Sequence, residues 1–145
     1  GGTTTGQGAS LTIPLGDMSL VVSTSQMDVG GTEDSSAGGA LTMTAGGGTL
    51  SLGVETTSGD TAATEGEAYS VSYSTTMGSA AVAVGYSGYD ANSTTSSRTD
   101  VTLSQSIGGG ASVFAEFQNL TGAGVAAEGN STSESVVAIG TSVSF

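Results

Sequence analysis

SVVAIGTSVSF, residues 135–145, decides how the rest of this 145-residue chain is read. Val137, Ile139, Thr141, Val143 and Phe145 fall on one side of an extended strand, because side chains alternate with a period of two. Val136, Ala138, Gly140, Ser142 and Ser144 fall on the other. One side is large and mostly apolar; the other is small. The stretch closes on an aromatic residue, whereas domain ends are usually polar and frayed. A strand whose apolar side meets lipid while it seals a barrel accounts for this pattern. Val137, Ile139, Val143 and Phe145 are therefore read as a C-terminal barrel signature.

The same alternation runs back through the chain. Leu11, Ile13 and Leu15 alternate with Ser10, Thr12 and Pro14, and a turn signal follows at Gly16 and Asp17. Met18, Leu20 and Val22 return against Ser19, Val21 and Ser23. Leu41 and Met43, then Leu50, Leu52 and Val54, flank the triplet Gly46, Gly47 and Gly48. Tyr69, Val71 and Tyr73, then Val82, Val84 and Tyr86, flank Met77, Gly78 and Ser79. Val101 and Leu103, then Val113, Ala115 and Phe117, flank the triplet at Gly108, Gly109 and Gly110. This predicts nine strands of about 8–12 residues, near the length of about 9–11 that a tilted bilayer-crossing strand needs. The tight turns centre on Gly16, Gly47, Gly78 and Gly109, each 31 residues after the last, so the repeat is a hairpin rather than a solenoid coil. Between hairpins the sequence predicts long polar loops at residues 28–39, 56–67, 90–98 and 119–134. Short turns at one end and long loops at the other are the asymmetry of a transmembrane barrel.

Composition narrows function. Ser and Thr make up about a third of the chain, with 25 Gly, one Pro, and no Cys, His or Trp. The absence of Cys leaves no disulfide framework or thiol chemistry. Serine nucleophiles have no His or Lys to activate them, so the chain is read as non-enzymatic. One basic residue, Arg98, stands against 13 acids, for a net charge of −12, which excludes a nucleic-acid partner. No apolar run approaches the 18 residues of a membrane-crossing helix.

Ten acids fall in or beside the long loops: Asp28, Glu33, Asp34, Asp60, Glu65, Glu67, Asp90, Asp100, Glu128 and Glu134. Glu33 with Asp34, and Glu65 with Glu67, are weak Ca²⁺ candidates, because oxygen ligands cluster there. They match no calcium-loop spacing, and solvated loop charge is the better reading; no other cofactor is implied. Glu55 and Glu116 lie on the small-residue side, where two separate lumen acids are a better reading than a carboxylate pair. With Ser51, Ser72, Ser104 and Ser112 they are the candidate pore-lining residues. Tyr69, Tyr86, Tyr89 and Phe117 at one end and Phe145 at the other suggest two aromatic girdles.

These residues resemble the C-terminal half of an outer-membrane general diffusion porin, especially of the alphaproteobacterial type. The likeness is closest over residues 106–145, where SIGGGASVFAEFQ begins the penultimate strand and VVAIGTSVSF closes the chain. The resemblance implies a 16-stranded, homotrimeric barrel with an aqueous pore. The near-absence of Arg and Lys departs from the family's pattern, since the basic cluster of such pores cannot come from this segment.

The resulting expectation is an all-β, antiparallel, up-and-down transmembrane meander, with residues 1–145 forming one barrel segment. Its partners are the lipid bilayer of the outer membrane, small hydrophilic solutes and cations. With the C-terminus periplasmic, nine strands place Gly1 outside, whereas a complete barrel starts in the periplasm with an even count. Either the first strand does not span, leaving an eight-stranded anchor or adhesin, or residues precede Gly1; the second is preferred. At about 16 residues per strand, a 16-stranded barrel would need roughly 260 residues. The rival from another class is a self-assembling extracellular fibre or surface-layer subunit, its flat small-residue faces stacked.

Overall fold

Glycines in the left-handed region of backbone space make the hairpins. Gly46 and Gly47 (φ 57° and 79°) and Gly109 and Gly110 (62° and 76°) fill both central positions of their turns. Positive φ at both positions matches the natural twist of the flanking strands. A computed structural model describes residues 4–60, 65–91, 94–122 and 133–143. The turns join β1 (Thr4–Leu15) to β2 (Met18–Val29), and β3 (Thr32–Ala45) to β4 (Gly48–Gly59). They likewise join β5 (Gly66–Met77) to β6 (Ala80–Ala91), and β7 (Thr94–Gly108) to β8 (Ala111–Gly122); β9 (Ser133–Val143) follows. All nine strands form one sheet in sequence order, each antiparallel to the next. β1 is a full member, paired with β2 from Thr4↔Val29 to Leu15↔Met18.

Among the described residues the predicted long loops are largely strand. Residues 28–39 turn at Gly30 and Gly31 (φ 66° and 91°), where Asp28 Oδ1 accepts the Gly31 N–H at 2.9 Å, and continue as β3. β4 runs on to Gly59, β6 to Ala91 and β8 to Gly122, while β7 starts at Thr94. Hydrophobic alternation fails in these stretches because both faces are polar, so period-two reading finds no strand. Pairing continues nevertheless, through the backbone and through polar cross-strand pairs. These include Gln7–Gln26 (3.0 Å), Ser35–Ser58 (2.9 Å), Ser97–Thr121 (2.6 Å) and Asn119–Ser135 (2.8 Å).

The register assigns every strand residue to a face. Ser19, Thr42, Ser51, Ser72, Gly85, Asp100 and Gln118 lie side by side in one cross-sheet row. The neighbouring row on the opposite face runs Leu20, Leu41, Leu52, Val71, Tyr86, Thr99 and Asn119. The apolar members of that face stay open to the surroundings: Val54 is 66% exposed, Val137 68% and Ile139 81%. No side chain among the described residues is fully buried, and the surface totals 9292 Å². A compact monomer of this mass would expose about 6,600 Å². The described residues form a single layer with no closed protein core, which argues against a soluble sandwich. On β3 the apolar band runs from Ala37 to Ala45. Nine residues make roughly 30 Å of strand, or about 22 Å of height at the usual barrel tilt, close to the ~25 Å lipid-facing band of membrane barrels. Beyond it the same face turns polar, through Thr24, Gln26 and Asp28 on β2 and Glu33 and Ser35 on β3.

One close approach holds a turn in shape. The Tyr73 ring lies across Gly48, and its hydroxyl donates to the carbonyls of Ala45 (3.1 Å) and Gly46 (3.3 Å). A Cβ at Gly48 would run into the Ser74 carbonyl and stand 2.6 Å from the ring, whereas one at Gly85 would find its nearest neighbour at 3.7 Å. Denaturant unfolding of the detergent- or lipid-folded protein should therefore show Gly48→Ala destabilised by about 1–3 kcal/mol. Gly85→Ala should lie within about 0.5 kcal/mol of the parent, since a strand glycine is itself unfavourable.

Candidate functional site: the concave wall

Small residues on one face let the sheet curl toward that face. A trough of about 530 Å³ is lined by Ser23 of β2, Ala40 of β3, Glu55 of β4, Ser70 of β5, Arg98 of β7 and Leu120 of β8. Strands six apart share one hollow, so the Ser/Thr/Gly/Ala face is the concave one and the Leu/Val/Tyr face the convex one. A second hollow of about 480 Å³, nearer the glycine turns, is lined by Thr49, Ser74, Ala83, Thr102 and Ser104 among others.

All six residues expected to line a pore lie on the concave face. Glu55 sits between Gly38 and Ala68, and Glu116 between Thr102 and Ala138. Ser51 stands beside Thr42 and Ser72, with its hydroxyl 3.5 Å from that of Thr42. Ser104 lies between Ala81 and Phe114, and Ser112 between Ser106 and Ser142. Glu55 and Glu116 are on strands four apart and do not meet as a carboxylate pair. Both carboxylates have small neighbours across the ladder, and Glu55 lines the first hollow.

Arg98 was expected at the end of a long loop and Asp100 beside it, but both lie within β7 and face the trough side of the sheet. The Arg98 Nε donates to both Asp100 oxygens, at 2.8 and 2.9 Å, and the Gln118 amide donates to Asp100 Oδ1 at 3.2 Å. Hydrophobic patterning missed this group because no apolar residue marks the upper part of β7. The signal that finds it is the i, i+2 spacing of Arg98 and Asp100, which puts both on one side of a strand.

The other candidates separate. Glu33 and Asp34 are consecutive in β3 and so point to opposite faces; Glu33 faces Asp28 across the convex side. Asp60 Oδ2 accepts the Glu33 N–H at 3.0 Å, while Asp34 Oδ1 is buried without a hydrogen-bond partner. Glu67 opposes Asp90, and Glu65 precedes β5. Among the described residues no three metal-ligating side chains gather. Tyr69, Tyr86 and Phe117 line the upper border of the convex apolar band, with the Tyr69 and Tyr86 ring centres 6.0 Å apart. Tyr89 does not join that girdle: its register partners Ala68 and Ser96 place it on the concave face. Val137, Ile139 and Val143 occupy the convex face of β9, whereas Phe145 lies outside the described residues.

No protein-family model matches the chain, and no curated protein resembles it in sequence. Solved structures do resemble it in fold. An anion-selective porin from Comamonas acidovorans superposes with a TM-score of 0.71 at 15% identity, over 81% of this chain and 38% of that one. OmpT, an outer-membrane protein of Vibrio cholerae, gives 0.67 at 13% identity, over 82% and 46%. OpdO of Pseudomonas aeruginosa gives 0.68 at 12% identity, over 92% and 49%. The chain therefore has the nine-stranded antiparallel meander of a porin barrel segment, and it spans less than half the length of each of these three proteins.

Facing is directly measurable. With the protein folded in lipid vesicles, Ser72→Cys on the concave side should react with a water-soluble maleimide. Val71→Cys, one residue away, should be protected by lipid; equal reactivity of the two would contradict the assignment of faces.

Proposed function

We propose that this chain forms part of the wall of a water-filled outer-membrane channel through which small hydrophilic solutes diffuse passively. The observation that carries this reading is the pairing of a convex, exposed apolar band with a concave wall of mostly small residues among which hydroxyls and carboxylates stand. The convex band suits hydrocarbon, and a sheet in lipid must satisfy its backbone groups strand to strand, as this one does. The concave wall suits water, because Ser, Thr and Gly leave space and offer hydrogen bonds without closing the bore. A stacked fibre would instead favour flat, interdigitating faces, and the curl of this sheet works against it. Porin-like fold at low sequence identity supports the outer membrane as the location, and the trimer implied by the sequence resemblance belongs to the same proposal.

We further propose that the channel prefers cations. One of the similar structures is an anion-selective porin, so the argument rests on this chain's own side chains and not on its fold. The concave face carries Asp34, Glu55, Asp100, Glu116 and Glu134 against Arg98. Lumen charge sets ion preference in such pores, and the effect grows as salt falls and the Debye length stretches to about 30 Å at 0.01 M.

Single-channel recording in planar bilayers tests both statements. The protein should give ohmic pores whose reversal potential across a KCl gradient has the sign for K⁺ permeation, larger at low salt. Glu55→Gln/Glu116→Gln should move that potential toward zero. Absence of pores would remove the channel reading, and a chloride-signed potential would remove the cation preference alone.

A further inference from the structure

Arg98 is the single basic side chain of the chain, and it stands on the concave wall. A guanidinium facing a water-filled hollow is the strongest anion-binding group a protein offers, because its planar fork matches carboxylate and phosphate oxygens. Its directly opposed neighbours, Ser87 on β6 and Leu120 on β8, carry no charge. The side chain stays 50% exposed, so burial does not silence it. What engages it is Asp100, two residues on along β7 and therefore on the same side of the strand, with Nε held by both carboxylate oxygens at 2.8 and 2.9 Å. Asp100 is the more sheltered partner, 27% exposed, and the Gln118 amide on β8 fixes it from across the sheet at 3.2 Å. Glu55, Glu116, Glu134 and Asp34 share the concave face without an ion pair among the described residues.

We infer that Asp100, positioned by Gln118, is a built-in counter-ion that keeps Arg98 from binding anionic solutes, leaving the wall to act on permeating solutes through carboxylates alone. The inference deepens the channel reading and rests on it for its consequence in permeation. The pairing itself is a property of the wall and is tested without current flow. In this view Asp100 is a specificity-determining residue whose role differs from that of Glu55 or Glu116. Removing Glu55 takes away one attraction for cations. Removing Asp100 takes away one negative charge and also frees the Arg98 Nε and lifts the neutralising carboxylate from the guanidinium, which can then grip oxyanions.

Calorimetric titration of inorganic phosphate into the detergent-folded protein at low salt separates the two effects. Asp100→Asn should bind phosphate roughly tenfold more tightly than the parent. Arg98→Gln/Asp100→Asn should lose that gain, and Glu55→Gln, with the same change in net charge, should not show it. Asp100→Ser repeats the test in a small polar side chain should Asp100→Asn fail to fold. Equal gains in Asp100→Asn and Glu55→Gln would overturn the inference, since charge count alone would then govern. So would phosphate binding by the parent protein that disappears in Arg98→Gln. A parent protein that makes no pores would defeat the channel reading but leave these phosphate comparisons to decide the role of Asp100.

Discussion

Everything in this structure depends on the strand-to-strand ladder of backbone hydrogen bonds. The described residues form no second layer: nine strands hydrogen-bond in sequence order, and no described side chain is fully buried. A water-soluble protein of this size gains most of its stability from removing apolar area from water. Here Leu52, Val54, Val71 and Ile139 remain on the open face, so that gain is available only if something apolar outside the chain covers them. In the proposed membrane setting lipid would do so continuously along the band. The ladder in turn becomes worth more there, because an unpaired amide in hydrocarbon has no water to fall back on.

The ladder also constrains closure. In an up-and-down meander of nine strands, β1 and β9 run in the same direction. A seam made directly between them would be parallel. An all-antiparallel ring therefore takes an odd number of further strands between those two edges.

How much of this the sequence discloses depends on whether a residue's environment is one-sided. Where one face meets an apolar medium and the other meets water, Leu50, Leu52 and Val54 against Ser51, Gly53 and Glu55 leave a readable period of two. The hairpin turns were legible for a different reason: positive φ at Gly46 and Gly47 all but requires glycine. Past the apolar band both faces are polar, and the period vanishes although pairing does not. That is why residues 28–39 and 90–98 read as loops and are mostly strand. The same gap hid the site's most informative group, since a loop reading leaves Arg98 and Asp100 without a face. Ser51, Ser72, Glu55 and Glu116 could be assigned to a face from sequence because each lies in a stretch with apolar neighbours on the other face.

The low identity to the matched barrels, 12–15%, follows from the same physics. Lipid asks of the convex face only that it be apolar, and Leu, Val, Ile, Met and Tyr are interchangeable there at little cost. Water asks of the concave face only that it be small or polar. Neither medium fixes individual residues, so the fold is compatible with many sequences, while in this chain positive φ asks for glycine at the turns. What neither medium specifies is the sign of charge on the concave wall. A fold shared with an anion-selective porin can therefore carry a wall of opposite character. Among the described residues, the concave face of this chain carries five carboxylates and one arginine that already has an internal partner.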